Sequence, residues 1–111
     1  MRLSVSFIIA TLVLTATTAK AENWVVVLDE VIGASVDKDS IRRGSDGLVY
    51  FTVRYASRSD AAVNCETATS YTIKLYEMDG YNFPNWRNEG RPVVPGSPGD
   101  AVYQYVCANA S

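Results

Sequence analysis

Few residues in this chain could do chemistry, and one absence narrows the choice at once: the 111 residues contain no histidine. That removes His-based nucleophilic triads, histidine metal ligands and the side chain that most often moves protons near neutral pH. Three close pairs of carboxylates remain, Asp29-Glu30, Asp37 with Asp39, and Glu77 with Asp79. Two acids held about 5 to 9 Å apart in a cleft can hydrolyse glycosides, so a small carboxylate-dependent hydrolase is one reading. In a small sheet domain, however, acids at strand ends are ordinarily its solvated edges, and no catalytic residue is assigned.

The stretch "DKDSIRRGSDG" begins like a calcium loop with Asp37-x-Asp39, but the next ligand position is Ile41 and the turn-glycine position is Arg42. No metal ligand and no cofactor is therefore expected. Arg42 and Arg43 could contact an anion or glycan together with Arg54 or Arg58, against the plainer reading of a charged, solvated loop. Trp24 and Trp86 could be binding platforms, although in a small domain they are expected to pack. Asn109-Ala110-Ser111 fits a glycosylation acceptor, which matters only in a eukaryote.

The positions of these residues depend on where the folded domain starts. "MRLSVSFIIATLVLTATTAKA" has a positive residue at Arg2, an apolar run from Leu3 to Leu14 and small residues before Ala21, the layout of a secretory signal peptide cut after Ala21. The apolar run is shorter than the roughly 20 residues a spanning helix needs. The exported domain is then residues 22–111, with 8 basic and 12 acidic side chains and a net charge of about −4 once Arg2 and Lys20 are removed. Nothing in that balance favours nucleic acid or an anionic membrane. No cysteine stands at the cleavage site, so no lipid anchor is expected, and the product is read as soluble and either periplasmic or secreted.

Cys65 and Cys107 are an even pair in an exported chain, which argues for one disulfide over two free thiols. A bridge closing some 40 residues would stabilise so small a domain by roughly 4 kcal/mol in the chain-entropy view.

"NWVVVLDEV" reads as a strand, and a short extended piece follows around Ser35 to Asp37. A polar loop then runs to a turn at Ser45-Asp46-Gly47. "LVYFTVRYA" has period 2, with Val49, Phe51, Val53 and Tyr55 on one face and Leu48, Tyr50, Thr52 and Arg54 on the other. "SRSDAA" reads as a loop or turn. "VNCETATSYTIKLYEMDG" reads as one long strand or a strand with an irregularity, with Tyr71, Ile73 and Leu75 alternating with Thr72, Lys74 and Tyr76 and a turn at Asp79-Gly80. "YNFPNWRNEGRP" reads as a loop covering the sheet, anchored by Phe83 and Trp86. At the end, Ser97 can cap a helix beginning at Pro98, with Asp100 in its first turn and Val102, Tyr103, Val106 and Cys107 on one arc. "VYQYV" also alternates, so a strand remains the rival on local grounds.

Taken in order, Trp24, "VDKDSIRR", Cys65 with Tyr71, "YEMDGYNF" and "WRNEGRPVVPGSPGDAVYQYVC" resemble the bacterial surface-adhesin protein E family over nearly the whole exported chain. The resemblance implies an α+β fold, a small antiparallel β-sheet packed against a C-terminal helix, with a disulfide from strand to helix that pairs Cys65 with Cys107. It further implies an exported non-enzymatic binding module of the bacterial envelope, with host matrix or serum proteins such as vitronectin and laminin as partners. The face carrying Tyr50, Thr52 and Arg54 is the expected protein-binding surface, and edge-to-edge sheet pairing makes a homodimer the expected assembly. The alternative from another class is a periplasmic structural or stress-related protein without a specific ligand.

Overall fold

Strand formation begins where β-branched residues cluster. The computed structural model describes residues 22–30, 33–77 and 79–111, so the proposed signal peptide lies outside the described residues. β1 (Trp24–Leu28) pairs antiparallel with β2 (Ala34–Asp37), and β2 pairs with the C-terminal end of its neighbour, β4 (Val49–Arg54), at Val53 and Arg54. A 3-10 turn at Lys38–Ser40 interrupts the β2 line, which resumes as β3 (Arg42–Arg43) beside the other end of β4. The interruption would leave the amide of Thr52 without a ladder partner. Ser40 Oγ accepts that N–H at 2.8 Å while donating to the Asp37 carbonyl at 2.6 Å, so one hydroxyl closes the gap.

β4 forms a hairpin with β5 (Arg58–Asn64), and β5 pairs with β6 (Thr69–Leu75). The far edge of β6 is shared by β7 (Tyr81–Asn82) at one end and β8 (Arg91–Pro92) at the other. All pairings are antiparallel, in the order β1-β2-β4-β5-β6-β7.

Three readings made from the sequence need correction here. The polar segment "SRSDAA" is a loop only at its start, because Arg58 onward belongs to β5. The long strand proposed for "VNCETATSYTIKLYEMDG" is two strands, separated by a turn over residues 65–68. Asn64 makes that turn: its Oδ1 accepts from the backbone N–H of Glu66 at 2.9 Å and of Thr67 at 3.1 Å, and Ala68 takes a left-handed conformation with φ 53°. Arg42 and Arg43, read as loop residues, are instead paired to Tyr50 and Val49.

The last segment is helix α1 (Pro98–Asn109). The capping signals at Ser97 and Pro98 are thus realised, and the rival strand reading of "VYQYV" is not. Ser97 Oγ accepts the Asp100 N–H at 3.2 Å, Pro98 stands at the start of the helix, and Asp100 lies by its positive end. Val102 and Val106, one turn apart, are fully buried and pack with Ala34, Val36, Val49, Phe51, Val53 and Val63. The helix therefore covers β1, β2 and β4 on the face of Val49, Phe51 and Val53, as period 2 predicts. Tyr55 lies beyond the end of β4 but lines the same side with Val53 and Val102. The Cys65–Cys107 disulfide ties α1 to the turn, with Cα atoms 5.9 Å apart; Cys65 sits one residue past β5 rather than within it. No helix among the described residues is long and apolar enough to cross a membrane.

Candidate functional site

Among the described residues, no helix lies on the opposite face of the sheet. Tyr50, Thr52 and Arg54 alternate out of β4 onto it, and the register sets Ala62, Asp60 and Arg58 of β5 directly beside them. Arg54 and Arg58 are thus like charges placed opposite each other, an unfavourable pair if left alone. Trp24 relieves it: the Arg54 guanidinium lies 4.0 Å from the centre of the indole and that of Arg58 5.9 Å, while Glu22 forms a salt bridge with Arg58 and accepts from the Trp24 indole N–H. Arg58 also lies 4.6 Å from the ring centre of Tyr76.

A bulge brings Tyr76 there. The β5–β6 register slips between Asp60 and Ala61, so that Ala62 faces Tyr71 while Asp60 faces Lys74. In an unbroken strand, Tyr71 and Tyr76 would point to opposite faces, being an odd number of residues apart. With the extra residue both reach the open face, Tyr71 against Trp86 and Tyr76 with its hydroxyl on Asp60. The alternation expected for Tyr71, Ile73 and Leu75 fails for this reason.

Trp86 arrives from the other side. Between β7 and β8 the chain crosses onto the open face through a 3-10 turn at Trp86–Asn88, and the indole meets Tyr50 and Tyr71 edge to face, at 6.0 and 5.6 Å between ring centres. The expectation that Trp86 anchors a covering segment therefore stands, while Phe83 packs edge-on with Tyr81. Neither tryptophan belongs to the buried core; both are half-buried on the open face, which corrects the expectation that they pack inside.

Between these clusters lies a groove of about 460 Å³, lined chiefly by Arg42, Tyr50, Thr52, Asp60, Tyr76 and Arg87, with Trp86 at its wall. On its floor Asp60 accepts from Thr52 Oγ1 at 3.0 Å and from the Tyr76 hydroxyl at 3.2 Å. Burial, together with the Asp60 charge and hydrogen bond, raises the Tyr76 phenol above its ordinary pKa. At the rim, the Tyr50 hydroxyl donates to Asp46 at 2.6 Å and accepts from Arg87 at 3.4 Å, and the Arg42 guanidinium rests 4.9 Å from the Tyr50 ring centre. The Tyr50 hydroxyl, followed by the Leu48 N–H, lowers the pKa of the Asp46 carboxyl; burial and Asp46 raise that of Tyr50.

The three residues proposed from the sequence thus share one face but do separate work: Tyr50 at the rim, Thr52 on the floor and Arg54 over Trp24. The carboxylate pairs lie elsewhere. Asp37 caps the Lys38–Ser40 turn, accepting from the backbone N–H of Asn23 at 3.0 Å and of Asp39 at 3.2 Å; Asp39, Asp29, Glu30, Glu77 and Asp79 are exposed. Sequence reading missed Asp60, Tyr76, Arg87 and Asp46 as members of the face. Asp60 and Tyr76 were hidden by the misplaced β5 boundary and the bulge, and Arg87 by a chain crossing that has no periodicity.

No family model, curated protein or solved structure matches the chain.

Proposed function

We propose that this chain is an exported, non-enzymatic binding module of the bacterial envelope whose open sheet face, centred on Tyr50, Thr52 and Arg54, contacts a protein partner. The observation that carries the reading is the segregation of the two faces. Helix α1 covers one with valines, while the other presents Trp24, Tyr50, Tyr71, Tyr76 and Trp86 together with Arg42, Arg54, Arg58 and Arg87. Trp, Tyr and Arg are the residue types that dominate binding energy at protein interfaces.

Export is supported by the signal-like run of residues 1–21 and by a disulfide in a chain with no free cysteine among the described residues. The likeness to the surface-adhesin protein E family, with host matrix or serum proteins as partners, is part of the proposal; its support is the set of sequence motifs and the sheet, helix and bridge that the likeness implied. The edge of β1, which no other strand of the described residues pairs, and Val26, 62% exposed on β1, support a homodimer formed edge to edge.

The test is capture of partners from envelope extract and from purified vitronectin and laminin, comparing residues 22–111 with a Tyr50→Ala/Arg54→Ala version. The proposal expects the double variant to lose a partner that the parent retains. Equal recovery by both removes these residues from the contact surface.

A further inference from the structure

We infer that the groove between Tyr50, Trp86 and Asp60 docks an acidic, extended peptide segment of the partner, with a side-chain carboxylate held between Arg42 and Arg87. The inference rests on the proposed role of this face in binding and adds the chemistry of what it binds.

Charge is the first argument. Of the eight Lys and Arg residues in residues 22–111, five (Arg42, Arg54, Arg58, Lys74 and Arg87) stand on the open face, where Glu22, Asp46 and Asp60 are the acids bonded to its rings, hydroxyls and guanidinium groups. The other three basic residues are Lys38, Arg43 and Arg91, in a domain whose acids outnumber its bases twelve to eight. An acidic domain has therefore gathered most of its cations on the face that no helix of the described residues covers, the pattern that attracts an acidic partner and orients its approach.

How those cations are held is the second argument. Among the described residues, no carboxylate lies within 4.0 Å of Arg42, Arg54 or Lys74, and Arg87 reaches only Asp46, at 3.7 Å. Aromatic rings hold them instead: Arg42 on Tyr50, Arg54 on Trp24, Lys74 on Tyr76, and Arg87 on Trp86 at 4.3 Å. A guanidinium resting on a ring keeps its charge and its fork of N–H donors for a ligand, and is fixed in place before the ligand arrives. The same arrangement occupies ring faces that a sugar would stack on, which favours peptide over glycan.

The third argument is the floor. Asp60 would repel a second carboxylate, but its charge is engaged by Thr52 and Tyr76 and it lies beside Lys74 across the ladder. Its remaining lone pairs suit backbone N–H donors of an extended chain, while Arg42 and Arg87, at the Tyr50 end, suit the side-chain carboxylate.

The experiment is an NMR titration of residues 22–111, bridge intact, with three probes: a decapeptide alternating Glu and Gly, its Gln counterpart, and a uronic-acid tetrasaccharide. The Glu peptide is expected to shift the amides of Tyr50, Thr52 and Asp60 and the indole N–H of Trp86, with affinity falling as salt rises. The Gln peptide should bind about tenfold more weakly, and Arg42→Gln/Arg87→Gln, two exposed positions whose change leaves the core untouched, should weaken the Glu peptide by about the same factor. Equal binding of the Glu and Gln peptides, no shift at these positions, binding of the tetrasaccharide alone, or an unchanged affinity in the double Gln variant each overturns the inference. A partner lost by Tyr50→Ala/Arg54→Ala but retained by Arg42→Gln/Arg87→Gln would leave the binding face standing and remove the acidic segment; a partner retained by both variants would remove both.

Discussion

The hydroxyl of Tyr103 donates to the carbonyl oxygen of Cys65 at 2.8 Å, one helical turn before Cys107, whose sulfur is bonded to that same residue. Two side chains on one stripe of α1 thus grip a single residue of the β5–β6 turn, one through its backbone and one through its thiol.

The covalent grip should dominate. Breaking it with Cys107→Ser is expected to cost roughly 4 kcal/mol, the chain-entropy value for a loop of 42 residues, and to lower the melting temperature by about 15 °C or more. Tyr103→Phe removes only a half-buried hydrogen bond and should cost about 1 kcal/mol. Calorimetry on both variants checks the order, and equal melting of Cys107→Ser and the parent would contradict it.

Phe51 and Tyr50 are neighbours in sequence on opposite faces, which makes them a controlled pair. Phe51 is 4% exposed in the core, so Phe51→Ala is expected to lose about 3 to 5 kcal/mol in urea unfolding. Tyr50→Ala, on the open face, should cost less stability and act on partner binding. A Phe51→Ala variant as stable as Tyr50→Ala would mean that the two faces have been assigned the wrong way round.

Ala68 sits at φ 53°, a conformation that costs an L-residue with a Cβ roughly 1 kcal/mol or more. Ala68→Gly should therefore stabilise the domain by up to about 1 kcal/mol, offset in part by the greater freedom of glycine in the unfolded chain. Gly47→Ala is the reverse case: φ is +86° and a Cβ there meets nothing within 4 Å, so its destabilisation would come from backbone strain alone. Chemical denaturation of the two variants should give shifts of opposite sign.

The face should also titrate. Burial and Asp46 raise the Tyr50 pKa above 10.0, and burial with the Asp60 charge does the same for Tyr76. Both groups hold their protons more tightly folded than unfolded. Their contribution to stability is therefore complete below pH 10.0 and is lost as pH rises through the raised values. Asp46 behaves oppositely: hydrogen bonds from Tyr50 and Leu48 keep its pKa below 3.8, so its contribution is present above that pH and disappears as pH falls through the lowered value. Urea midpoints across pH should show a shallower acid limb for Asp46→Asn and a shallower alkaline limb for Tyr76→Phe.

Much of this arrangement was legible before folding. Period 2 in "LVYFTVRYA" assigned the two faces of β4, and Ser97, Pro98 and Asp100 marked the start of α1, because both signals are local and repeat along the chain. The β5–β6 hairpin was missed because its turn is made by a single Asn side chain and an alanine with positive φ, with neither Gly nor Pro to announce it. The bulge in β6 is set by pairing with β5 and leaves no mark in the spacing of its own residues. Arg87 and Trp86 join Tyr50 by a chain crossing some 37 residues away in sequence, which no short window can contain.

The bridge has a further consequence for this crossing. Everything between Cys65 and Cys107, including β6, the Trp86 segment and β8, lies inside one covalent ring. Residues 84–85 and 87–92 are exposed, and are the natural place for a protease to cut in an extracellular setting. A nick there would not release a fragment: the two pieces would remain joined through sulfur and would separate on a gel only after reduction.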